Sequence, residues 1–122
     1  MAKRPRQEDE LDPEKSVRDE FYPKGRKRGV AVAVRIQADY SRNGRLLRYS
    51  MVLIDTHNAA ADNGRVLGYD NAHGYHHRHF LGKVEPVEFE SYESTEKRFE
   101  AEVKQYLKTR ELQSRAQDPN RR

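Results

Sequence analysis

The sequence predicts an α+β domain: an antiparallel sheet of four to five strands with a C-terminal helix packed on one face, between charged termini expected to be disordered. Three observations predict it. Apolar residues alternate strictly from Val30 onward, the dipeptides Asn43-Gly44 and Asn63-Gly64 interrupt the alternation, and towards the C-terminus the apolar spacing becomes helical.

Residues 1–28 are almost wholly charged, with Leu11 and Val17 the larger apolar residues before Glu20, and they read as a flexible arm unable to offset its ordering entropy. A short helix from Asp12, with Pro13 in its first turn, would place Val17 and Phe21 on one side. The run from Lys24 to Gly29 holds four cations, Arg26, Lys27 and Arg28 between two glycines and Lys24 just before them, and reads either as a phosphate clip or as a solvated linker. From there Val30, Val32, Val34, Ile36 and Tyr40 point one way and Arg35, Gln37 and Asp39 the other, which is the pattern of a half-buried strand. Asn43-Gly44 suits a tight hairpin turn, and Leu47, Tyr49, Met51 and Leu53 then alternate with Arg48 and Ser50. A small-residue loop and Asn63-Gly64 lead to a shorter strand holding Val66, Leu67 and Tyr69. Asp70 to Tyr75 reads as a loop, His76 to Val84 as a fourth strand, and Pro86 permits only a short edge segment with Val87 and Phe89. Ser91 is a suitable N-cap for a helix with Glu93 and Glu96 near its positive end and with Tyr92, Phe99, Val103, Tyr106 and Leu107 in one stripe. The expected organisation is therefore an arm at 1–28, a single domain at 29–107 and a polar tail at 108–122.

A chain of 122 residues has room for one modest core, and with 34% hydrophobic against 36% charged residues its apolar side chains must be concentrated in those segments. The absence of cysteine excludes disulfides, thiolate zinc sites and thiol nucleophiles, and it suits a reducing compartment. The start of the sequence has no apolar stretch of the kind a signal peptide needs, and no long apolar run follows, so a cytoplasmic protein without membrane association is expected. A net charge of +4 favours a polyanionic partner.

Four of the five histidines, His73, His76, His77 and His79, fall between residues 73 and 79, beside Asp70, Tyr75 and Arg78. Imidazole both accepts and donates protons near neutral pH, and RNA cleavage through the 2′-hydroxyl needs both steps. Strand geometry puts His77 and His79 on one face as the natural base and acid, with His76 and Arg78 on the other. Arg78 or Lys83 would stabilise charge on the phosphate oxygens, and Arg26, Lys27 and Arg28 would hold the RNA backbone. The same histidines at i and i+2, with Asp70 or His73, also make a ligand set for a metal-dependent nuclease. The metal-free reading is taken first, with no cofactor and no tightly bound zinc. His57 stands alone and reads as structural.

The run Gly64-Arg65-Val66-Leu67-Gly68-Tyr69-Asp70-Asn71, followed by Gly74, His77-Arg78-His79, Pro86 and Phe89 before an amphipathic helix, resembles the TumE-type toxin family. The resemblance is specific from Arg65 to Phe89 and extends in arrangement from Val30 to Leu107. It implies the toxin half of a bacterial toxin-antitoxin pair, encoded beside an antitoxin with a helix-turn-helix DNA-binding domain. Tyr69, Asp70, Asn71, Gly74, His77, Arg78 and His79 occupy the pattern positions, while His73, His76 and the charged arm lie outside the pattern. The expected function is thus a toxin acting on RNA as a metal-independent endoribonuclease, with Tyr69, Asp70, His77, Arg78 and His79 at its site. The competing expectation is a noncatalytic binding subunit of a complex with a DNA-binding partner.

Overall fold

The computed structural model describes residues 14–25, 31–58 and 64–116. The chain divides into two compact units, Met1–Glu88 with the sheet and Phe89–Arg122 with the helix. The α+β class holds, with six strands in place of the four to five expected. They are β1 (Lys15–Phe21), β2 (Val32–Tyr40), β3 (Leu46–Asp55), β4 (Arg65–Asp70), β5 (His77–Phe80) and β6 (Lys83–Pro86). Each pairs antiparallel with its neighbour in sequence, so the sheet is a plain meander.

Two corrections account for the strand count. Residues 15–21, assigned from sequence to a charged arm, form β1 along the outer edge of β2. Val17 and Phe21 are its apolar residues, separated by Arg18, Asp19 and Glu20, and Ser16 and Glu20 find partners across the pair in Asp39 and Arg35. The proposed helix at Asp12 falls partly outside the described residues, and its Val17 and Phe21 belong to β1. The fourth expected strand is two strands, because Leu81 and Gly82 turn the chain between β5 and β6. The short segment expected after Pro86 is not a strand: Val87 and Phe89 lie outside β6.

Alternation sorts the sheet into two faces. Val34, Leu53, Leu67 and Phe80 stand in register on one face, as do Ile36, Met51, Tyr69 and Arg78. Val34, Met51, Leu53, Leu67 and Tyr69 are fully buried there and belong to the core. The opposite face is polar and carries Arg35, Gln37, Ser50, Gly68 and Asp70, joined in register by His77 and His79. One irregularity matters for function. Leu53 pairs with Leu67 but Ile54 with Arg65, so Val66 is the extra residue of a bulge. The bulge brings Arg65 onto the polar face with Gly68 and Asp70.

The second unit holds α1 (Tyr92–Ala116). Its start is the one the sequence signals: the Ser91 hydroxyl accepts from the Ser94 backbone N–H at 3.0 Å, and Glu93 lies in the first turn. Thr95, Phe99, Val103 and Leu107 are its buried stripe, with Tyr92 and Tyr106 half-buried. The helix continues past Lys108 to Ala116, where a polar tail was expected, since its Lys, Arg, Glu and Gln residues are good helix formers without needing burial. No helix among the described residues is long and apolar enough to cross a membrane.

Candidate functional site

β4 and β5 bring Asp70 and His77 directly opposite each other, with His79 two residues further along β5 on the same polar face. All three are buried, at 9%, 4% and 8% exposure, so their polar groups have to be satisfied by one another. Both imidazoles turn Nε2 towards the single carboxylate: His77 Nε2 lies 2.6 Å from Asp70 Oδ1 and His79 Nε2 3.0 Å from Asp70 Oδ2. The rings meet edge to face at 4.8 Å. His77 is held at its other nitrogen too, because Nδ1 stands 3.2 Å from the Tyr75 carbonyl, and the Tyr75 ring lies against it at 4.7 Å. A carbonyl only accepts, so Nδ1 carries a hydrogen and Nε2 is left to face Asp70.

The carboxylate is equally constrained. Asp70 Oδ1 accepts from the Ala72 backbone N–H at 3.0 Å, which starts the turn, and Arg65 Nη1 stands 3.6 Å from Oδ2. Gly68 makes that last approach feasible. A Cβ there would be 3.1 Å from Arg65 Cδ and 3.1 Å from the Met51 carbonyl oxygen, so the missing side chain is the space Arg65 crosses on its way to Asp70. Leaving a buried carboxylate uncompensated costs several kcal/mol. Two imidazoles, a backbone amide and a guanidinium supply the compensation here.

The neighbouring pattern residues serve the backbone. Asn71 Oδ1 accepts from the Tyr49 N–H and its Nδ2 donates to the Leu47 carbonyl, each at 3.0 Å, tying the β4–β5 connection to β3. The connection is a single 3-10 turn (Ala72–Gly74), and Gly74 takes φ +85°, where a side chain would be strained. His73 adopts φ +64° in that turn and is exposed. His76 Nδ1 lies 2.9 Å from the Tyr49 hydroxyl with the rings stacked, and burial, then the charge of His77, hold this imidazole below its ordinary value.

Of the residues expected at the site, Asp70, His77 and His79 come together, while Tyr69 and Arg78 do not. Tyr69 is the strand neighbour of Asp70, so alternation sends it into the core, where it is 1% exposed. Arg78 sits opposite Tyr69 on that face, 3.3 Å from Glu85 and over the Phe80 ring. Lys83 pairs with Phe80, so it too belongs to the face away from the histidines. Arg26, Lys27 and Arg28 lie outside the described residues. His57 makes its backbone hydrogen bond to Asp55 and does not join the cluster. The cation beside the centre is Arg65, which the sequence reading did not single out; the signal for it was Gly68 three residues on, a strand glycine marking a close approach.

The same polar face carries an open groove bordered by Arg18, Glu20, Arg35, Gln37, Ser50 and Val52. Arg18 and Arg35 enter it from the polar side of β1 and β2.

The model of the family described as Toxin TumE matches residues 4–107 of the chain. Neither the search of curated proteins nor that of solved structures found a match.

Proposed function

Because the chain belongs to the TumE toxin family, a membership that implies an antitoxin partner, we propose that it is a toxin acting on RNA and that Asp70, His77 and His79 are its chemical centre. One observation carries this reading: two buried imidazoles converge through Nε2 on one carboxylate on the polar face of the sheet. Cleavage of a phosphodiester requires an attacking oxygen to lose its proton and the non-bridging oxygens to be stabilised as charge builds on them. A carboxylate with two imidazoles is a set that activates such an oxygen, and Arg65 is a fixed cation at the same point. The groove with Arg18 and Arg35 on that face offers the RNA backbone a path, and the net charge of +4 favours a polyanion. Arg26, Lys27 and Arg28 belong to the proposal as backbone contacts of the segment before β2. The partner is an antitoxin with a helix-turn-helix DNA-binding domain, and both act in the cytoplasm.

The test is induced expression of the chain in a bacterium, followed by growth measurement and sequencing of RNA ends. Arrest accompanied by new ends at a recurring sequence or structure supports an endoribonuclease. Arrest with unaltered RNA ends favours the competing reading, a subunit that inhibits by binding.

A further inference from the structure

We infer that the Asp70–His77–His79 centre is a binding site for one divalent transition-metal ion. The inference rests on reading this cluster as the functional centre, and it reverses the metal-free expectation drawn from the sequence. Its first support is convergence: one ligand atom from each residue, Nε2 of both histidines and a carboxylate oxygen, lies within 4.8 Å of the other two. Two imidazole nitrogens and one carboxylate oxygen are a donor set for zinc, manganese or iron, and three protein ligands leave coordination positions open for water or a phosphate oxygen.

The second support is the orientation of His77. Its Nδ1–H donates to the Tyr75 carbonyl, and its Nε2 faces Asp70 Oδ1, 2.6 Å away. A ring N–H given to a backbone carbonyl is the arrangement that fixes the tautomer and orientation of a metal-bound histidine. The third support is rigidity. The ligands stand on paired strands rather than on loops, and Asp70 is held by Ala72 N–H and approached by Arg65. Such sites select nitrogen-binding ions over magnesium, which prefers oxygen ligands and retains its water.

At a metal centre His77 and His79 are ligands rather than a base and an acid. An ion held there would supply Lewis acidity to an oxygen bound at an open position. Arg65 remains the cation available to the phosphate.

The experiment uses the full chain purified without an affinity tag. Elemental analysis after dialysis should find about one zinc, manganese or iron ion per chain. Protein stripped with a chelator should regain stability on addition of Zn2+, with a rise in unfolding midpoint that grows with zinc concentration. The rise should persist in His73→Ala and disappear in Asp70→Asn and His79→Ala. A readout that needs no variant is nitrogen NMR of the histidine rings, where zinc should move the Nε2 signals of His77 and His79 and leave those of His57 unmoved. Protein that retains no ion and shows no midpoint change with Zn2+ or Mn2+ overturns the proposal. So do zinc responses at His57 or His73 in place of the paired histidines. RNA cleavage by a chain that binds no metal would remove the metal and leave the RNA reading standing; a metal-loaded chain that leaves RNA intact would do the opposite.

Discussion

Gly68 and Arg65 are fitted to each other across the bulge in β4: a methyl group on Gly68 would stand 3.1 Å from Arg65 Cδ and equally close to the Met51 carbonyl. The side chain of Arg65 has room to move, but the β3 backbone does not. Gly68→Ala should therefore displace Arg65 from Asp70 and also strain the β3–β4 pairing. Overpacking of this kind costs on the order of 1–3 kcal/mol. Thermal unfolding should show a midpoint lowered by several degrees. A midpoint equal to that of the parent would mean that the close approach at Gly68 is not a constraint on the fold.

Asp39 gives the acid limb of stability a specific origin. Burial by itself pushes its carboxyl up, but hydrogen bonds from Ser16 and Arg48 and the charges of Arg48 and Arg18 outweigh this and hold it below the ordinary value. A carboxylate whose folded pKa is depressed contributes stability that is present above its unfolded value and lost as pH falls through the folded one. Urea unfolding measured from about pH 5 downward should show a steeper loss for the parent than for Asp39→Asn. Parallel curves would remove Asp39 from the account. The Arg48 Nε to Asp39 Oδ2 distance of 3.2 Å makes Arg48→Gln the complementary variant, expected to flatten the same limb.

β1 should open more readily than the rest of the sheet. Every one of its residues is exposed, and among the described residues it pairs on one side only, whereas β3 is flanked on both sides and holds Tyr49, Met51 and Leu53 in the core. Amide hydrogen exchange should be at least about tenfold faster at the β1 amides bonded to β2 than at the β3 amides. Equal protection would show that β1 unfolds only with the whole domain.

These elements also show what a sequence discloses. β2 and β3 were legible because their burial is one-sided and therefore alternates, and the α1 cap at Ser91 was legible because capping is local chemistry. The pairing of His77 with His79 followed from the period of a strand. β1 was not legible, since its residues are exposed on both faces and leave no apolar period. Nor was Arg65, because a count of two from Asp70 puts it on the other face and only the bulge at Val66 brings it across. Asp70 was in view from the sequence, but its position as the common partner of both imidazoles depends on the β4–β5 register, which the loop between them does not reveal.

Burial sets what the histidine variants should cost. Replacing a buried imidazole that is bonded to a carboxylate removes a partner from that carboxylate, so His77→Ala and His79→Ala should each lose on the order of 1–3 kcal/mol, more than a surface histidine would. Asp70→Asn preserves shape and is the gentler variant. The most direct test of the central claim, that the Asp70–His77–His79 centre carries the toxic chemistry, is growth after induction of Asp70→Asn and His79→Ala beside the parent and His57→Ala, with thermal unfolding of each purified protein. Growth should be restored by Asp70→Asn and His79→Ala while both remain folded, and His57→Ala should arrest growth as the parent does. Folded Asp70→Asn and His79→Ala proteins that arrest growth as fully as the parent would contradict the claim.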